Sequence, residues 1–209
     1  YAINANVYYM NYKDQLVLTG KINDVGAYTR TNVPKSYRAG LELQVKYAFN
    51  KKYNTSYSIT FSQNKIEEFT EYIDDYDQFT QVAIQHKNTN IALSPSLITN
   101  RTFNWKPNDK LSFFWTTKYT SKQFLDNTQN KDRQLDAFFI NDLNAHWTIL
   151  NKTKFTMLLQ LYANNVLDVK YAPNGYTFSY IYDRTLTTSN NFYPMAGRNY
   201  WISLKIDLK

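Results

Sequence analysis

The chain has 209 residues, a formal net charge of +7, no Cys, and an aromatic complement of 19 Tyr, 13 Phe and 4 Trp. No apolar run approaches the roughly 18 residues of a spanning helix, which excludes a helical membrane protein but not a barrel whose strands are apolar at every second position. The lack of Cys excludes disulfide staples, and Lys and Arg are scattered through turns instead of forming a stripe with interleaved aromatics, which argues against nucleic acid as a partner.

Eight segments carry the period of two that marks strands: about 1–12, 36–49, 52–63, 88–105, 110–122, 135–149, 153–165 and 198–208. The first leads into the polar connection KDQLVLTGKINDVGAYTRTNVPK, whereas only NKK separates the second from the third. A stretch of 24 residues rich in acid precedes the fourth, and KPND follows it. Then come QFLDNTQNKDRQ, LNKT and a connection spanning roughly 166–197. Long and short connections therefore alternate, as expected of an outer-membrane barrel with short periplasmic turns and long extracellular loops. This pattern predicts an all-β, antiparallel up-and-down transmembrane barrel, with residue 1 and the last strand both reaching the periplasmic side. With no Met or signal peptide at Tyr1, the chain reads as a mature or truncated product.

The aromatic residues give a second signal. Tyr47, Tyr53, Trp105 and Trp147 stand beside the short turns on the apolar parity, and Tyr37 and Tyr119 stand near the opposite ends. Such placement matches the girdles of a barrel at the two membrane interfaces. A soluble β-sandwich explains the alternation equally well, but neither these aromatic rows nor strands of 11 or more residues, since soluble strands usually run about 5–6. Eight strands could also close alone. However, the third would offer only Asn54, Ser56, Ser58, Thr60 and Ser62 inward, leaving room that a barrel of that size does not normally leave.

Five stretches in order carry a resemblance: YYMNYKDQLVLTGKINDVGAYTRTNVPKSYRAGLELQ, ALSPSLI, KYTSKQFLDNT, NNVLDVKYAPNGY and FYPMAGRNYWISLKIDL. Together they resemble the late strands and loops of TonB-dependent outer-membrane receptors. The resemblance implies that residues 1–209 are the C-terminal portion, about eight strands, of a 22-stranded barrel whose plug and earlier strands lie outside this chain. It further implies a receptor, not an enzyme, that binds a scarce extracellular ligand such as a ferric siderophore, cobalamin or an oligosaccharide. Import would use energy delivered by TonB through the plug. Outer-membrane lipid is an implied partner, a lipoprotein over the barrel mouth is compatible with it, and no cofactor is implied. Barrels of this family usually end on an aromatic residue, which would fall at position 210, on the parity of Tyr200 to Leu208. The alternative reading is a self-contained eight-stranded barrel with a structural or adhesive role.

Three groups of residues are candidates for chemistry. Tyr176, Tyr180, Tyr182 and Arg184, in the last long loop, have the character of a ligand mouth, rings for stacking and a guanidinium for an anion. Packing of the loop itself explains such aromatics as well. The acidic loop with Glu67, Glu68, Glu71, Asp74, Asp75 and Asp77 offers oxygen ligands but lacks calcium-loop spacing, so a solvated charge run is the expectation. His86 and His146 stand apart from other metal-ligand types; His146, on the inward parity, is expected to be a solvated lumen residue.

Overall fold

The computed structural model describes residues 1–208. Eight strands form one antiparallel wall: β1 (Ala2–Ile22), β2 (Tyr28–Ala48), β3 (Tyr53–Asp75), β5 (Leu97–Asn108), β6 (Leu111–Thr120), β9 (Phe138–Asn151), β10 (Phe155–Asn164) and β13 (Asn199–Leu208). Along the wall each strand pairs with its neighbours in chain order, as a meander requires. Among the described residues β1 pairs only with β2 and β13 only with β10, so the sheet is an open, partial barrel. The closed eight-stranded barrel weighed from the sequence is not what this chain forms.

The lower turns are short, and two of them are built by an Asn. Asn50 Oδ1 accepts from the N–H groups of Lys52 and Tyr53, and Asn108 Oδ1 accepts from those of Lys110 and Leu111. Asn side chains mimic a backbone turn in this way. Strand alternation then sorts the wall into two faces. Register places Tyr47, Thr55, Phe103, Trp115, Leu143, Ala163 and Tyr200 along one row of the outward face. Outward rings contact one another, with Trp105 stacked on Tyr53 and Phe113, and Tyr9 on Tyr37. The inward face carries polar side chains that bond locally, such as Arg38 to Asn64 and Ser94, and Asn6 to Glu42.

The long connections differ most from expectation. The segment after Tyr12 is no loop, because β1 and β2 continue as a ribbon to the turn at residues 23–27. Likewise β3 runs on to Asp75 and returns as β4 (Thr80–Asn90). The single strand expected over 88–105 is broken at Ile91–Ser96, between β4 and β5. The last connection contains a hairpin, β11 (Asn174–Tyr182) and β12 (Thr185–Tyr193), and β11 pairs in parallel with the tip of β3. Between β6 and β9 lies a small bridge, β7 (Gln123–Phe124) to β8 (Gln134–Leu135).

Both ribbons change parity where they leave the wall. Inward residues are three apart instead of two at Tyr12 and Gln15, at Val33 and Ser36, at Ile66 and Phe69, and at His86 and Thr89. The paired strands skip together, since Tyr12 faces Ser36 and Gln15 faces Val33, while Ile66 faces Thr89 and Phe69 faces His86. Asp14 (φ 54°) and Asn88 (φ 56°) absorb the offset in the left-handed region that Asp and Asn tolerate. Pro34, opposite Asp14, has no N–H to leave unpaired. The buried apolar cluster sits at this joint: Val17, Val33, Ile66 and Ile91, with Phe69 against it.

Candidate ligand site at the loop end

Residues 121–137 fold across the inner face of the ribbons. Leu125, Leu135 and Phe138 are buried there, and Gly20 approaches Leu125 and Asp126 so closely that a Cβ would fall 2.5 Å from the Leu125 carbonyl oxygen. Its φ of +88° independently requires glycine. From this segment Arg133 reaches into the fold. Its Nη1 donates to Asp126 Oδ2 at 2.9 Å and to Glu71 Oε1 on β3, while Glu71 Oε2 lies 3.0 Å from His86 Nε2 on β4. Only 5% of the Arg133 side chain is exposed, 7% of Asp126 and 10% of Glu71, so these charges are held by one another and not by water. Burial alone would lower the guanidinium's pKa; the hydrogen bonds and charges of Glu71 and Asp126 outweigh it and raise it.

Beside this group lies a cleft of about 180 Å³. Thr19, Thr29, Thr31, Thr177 and Ser179 supply hydroxyls to its wall, and Arg133, Glu71, Asp126 and Lys21 its charges. Lys21 Nζ also donates to the Tyr72 carbonyl at 3.0 Å. Hydroxyls that donate and accept beside fixed charges of both signs suit a polar, hydrogen-bonding guest.

The residues singled out from sequence fall nearby. Tyr176, Tyr180 and Tyr182 share one face of β11, with Tyr176 5.9 Å from Tyr193 and Tyr180 5.7 Å from Tyr76, centroid to centroid. Tyr182 is exposed. Arg184 occupies the hairpin turn with Asp183, at φ 57° and 49°, and Asp77 accepts both their backbone N–H groups at 2.7 and 2.9 Å. Packing thus accounts for Tyr176 and Tyr180, while Tyr182 and Arg184 stay in solvent.

The acidic run disperses into separate tasks. Glu71 pairs with Arg133, Asp75 caps the turn through Asp77 N and Gln78 N, and Asp77 holds the neighbouring hairpin. Among the described residues no group of three or more His, Cys, Asp or Glu could hold a metal ion. His146 faces the interior with Gln160 at 3.3 Å and the Phe114 ring at 4.8 Å. Sequence reasoning missed Arg133 and Asp126, because nothing in NKDRQ marks an Arg that will be buried against a carboxylate 62 residues away.

Beyond the cleft, two loop groups tie the hairpin and the last strand down. Tyr28 Oη lies 2.8 Å from both Asn174 Oδ1 and the Gly175 carbonyl. Burial first, then Tyr193, raises its pKa against the bond to Asn174. Asp168 accepts from Arg198 N at 2.8 Å and from Lys170 Nζ at 3.1 Å, and these hold its carboxyl below the usual range.

An antiparallel wall with Asn turns at one end, ribbons at the other, a polar inner face and an aromatic outer face defines a transmembrane β-barrel, here a part of one. Residues 1–166 match the family model for the TonB dependent receptor-like beta-barrel, and the chain belongs to that family. This is a family of receptors and transporters, not enzymes.

Solved structures with the same fold include the siderophore receptor PiuA from Acinetobacter baumannii, at 16% identity and TM-score 0.66, covering 98% of this chain and 25% of that one. The ferric yersiniabactin uptake receptor FyuA from Yersinia pestis matches at 14% identity and TM-score 0.65, over 99% and 27% of the two chains. The copper transporter OprC matches at 15% and 0.62, over 99% and 28%. The chain therefore spans about a quarter of the length of these structures, and at such identities they show the fold alone. No curated protein matches it.

Proposed function

We propose that residues 1–209 are the C-terminal portion of an outer-membrane receptor that captures a scarce extracellular ligand and imports it with TonB-supplied energy. The chain would provide barrel wall, lumen lining and extracellular ribbons, with a plug and earlier strands supplied from outside it. Tyr47, Tyr53, Trp105 and Trp147 would mark the periplasmic interface, and Tyr37 and Tyr119 the outer one. Both ends of the chain would then lie on the periplasmic side and the ribbons outside. Tyr182 and Arg184, exposed at the loop end, would meet the ligand, with Tyr176 and Tyr180 stiffening the hairpin that presents them. A lipoprotein partner is compatible with this arrangement.

The observation that carries the reading is the division of labour between ends: four-residue Asn turns at one, and at the other ribbons that converge on the polar cleft beside Arg133. Neighbours described as siderophore receptors and a copper transporter make iron chelates and metal ions the first ligands to try. The test is growth of cells carrying the whole receptor on a panel of ferric siderophores, copper, cobalamin and oligosaccharides, with and without TonB. Growth on one ligand that needs both receptor and TonB is expected; receptor-dependent growth unchanged without TonB would refute the energy coupling.

A further inference from the structure

On the outward face one residue breaks the rule of the wall. Between the row of Trp105 and Trp147 and the row of Tyr37 and Tyr119, Arg101 is the only formally charged side chain on the outward parity among the described residues. Its guanidinium keeps its charge in any surroundings. An Arg on a barrel's lipid face is destabilising by an amount that grows toward the midplane, so such a residue calls for an anionic partner. Among the described residues Arg101 finds only Thr55 Oγ1, at 3.5 Å, which is no counter-charge.

Its neighbours extend the polar spot. Register sets Tyr57 on one side of Arg101 and Thr117 on the other, with Asn141 beyond Thr117. Asn141 Oδ1 accepts from Trp115 Nε1 at 2.8 Å, while its Nδ2 is buried with no acceptor. One row lower, toward the Asn turns, the same face opens into an apolar groove of about 560 Å³. Phe113 and Trp115 border it on one side and Tyr200 and Ile202 on the other, with the small residues Ala145 and Ala163 between. A groove on a surface that should bulge toward lipid exists because those two alanines interrupt a belt of large side chains.

A row with one charge flanked by the hydroxyls of Tyr57 and Thr117, above an apolar groove, has the polarity of a single lipid of the outer leaflet, head toward the ribbons and chain toward the turns. We infer that this face binds a phosphorylated acyl glycolipid of the lipid A type, its phosphate on Arg101 and one acyl chain in the groove over Ala145 and Ala163. The inference rests on the membrane placement proposed above and is independent of which ligand is imported.

The experiment uses the whole receptor in nanodiscs, with retention of bisphosphorylated lipid A read by native mass spectrometry. Quenching of tryptophan fluorescence by brominated lipids reports separately whether this face meets hydrocarbon, so a failure of the membrane placement is distinguishable from a failure of the lipid site. Arg101→Gln is expected to weaken retention about tenfold or more, as loss of charge-assisted hydrogen bonds implies. Ala163→Phe, which fills the groove and leaves the charge, is expected to weaken it too, and dephosphorylated lipid A is expected to bind the unaltered receptor as poorly as lipid A binds Arg101→Gln. Equal retention by receptor and Arg101→Gln would overturn the inference. So would preferential retention of phosphatidylglycerol, or a receptor dimer that Arg101→Glu disperses while lipid A stays unbound.

Discussion

Asn127 and Leu18 stand 109 residues apart in the chain and 2.7 Å apart in the fold, the Asn127 amide Nδ2 donating to the Leu18 carbonyl of β1. The other end of the same amide accepts from the Ala92 N–H at 2.8 Å. One fully buried side chain thus fastens three segments: the crossing loop, the first ribbon and the break between β4 and β5.

Asn127→Leu keeps the branched shape and the number of side-chain heavy atoms and removes both bonds. The buried Ala92 N–H is then left without a partner, at about 1–3 kcal/mol, and the half-buried Leu18 carbonyl loses its donor. Hydrogen exchange in the whole receptor is expected to quicken at residues 121–137 while the wall strands keep their protection. Unchanged exchange in that segment would show that the loop is held by its apolar contacts alone.

Arg133→Met leaves Glu71 and Asp126 buried side by side without their cation. Breaking a buried ion pair from one side costs about 3–5 kcal/mol, so the ribbons should loosen and become open to protease. Adding Glu71→Gln removes one orphaned carboxylate and is expected to recover part of the loss; a double variant as labile as Arg133→Met would contradict the coupling.

Gly40 faces Tyr8 across β1 and β2, and a Cβ there would fall 2.5 Å from the Tyr8 ring and 2.6 Å from the Phe61 carbonyl oxygen. The ring can turn away but the β3 backbone cannot. Gly40→Ala is therefore expected to destabilise the wall by about 1–3 kcal/mol, read as a lower temperature for the unfolding shift on electrophoresis. Tyr8→Ala combined with it should restore little.

Asp168 gives a pH dependence whose sign follows from its lowered pKa. Its ordinary value is 3.8 and the folded value lies beneath that. The tie between Asp168 and Arg198 is therefore fully present above about 3.8 and is lost as pH falls through the folded value. Protection of the Arg198 amide, measured against its intrinsic exchange rate, is expected to fall in that acid range. In Asp168→Ala, which has no acceptor oxygen, Arg198 should be unprotected at every pH, and a protected, pH-independent Arg198 in that variant would rule the contact out.

The wall was legible in the sequence because its medium imposes a period of two and its turns need short polar residues. Each of the eight wall strands overlaps one predicted segment, with ends differing by a few residues except where β1, β2 and β3 run on as ribbons and where 88–105 divides. The ribbons were not legible for one reason: at Asp14 and Asn88 the inward parity changes, so a reader following one phase sees the pattern stop. The two residue types that tolerate a left-handed backbone were the available signal, with Pro34 opposite one of them. The cleft was illegible for another reason, since Arg133 becomes a buried ion partner only when residues 121–137 fold back onto β3. The aromatic hairpin was visible as composition, but which rings pack and which meet solvent depends on Tyr76 and Tyr193, brought there by pairing.

The parity change at the foot of each ribbon also separates two design problems. Below it, every residue's facing is dictated by membrane and lumen, and a single insertion would turn a strand inside out. Above it, the phase starts afresh, so a ribbon can be lengthened, shortened or exchanged for another without disturbing what is embedded beneath. The joint at Asp14 and Asn88 behaves as a socket, in which one embedded wall carries ribbons of any phase.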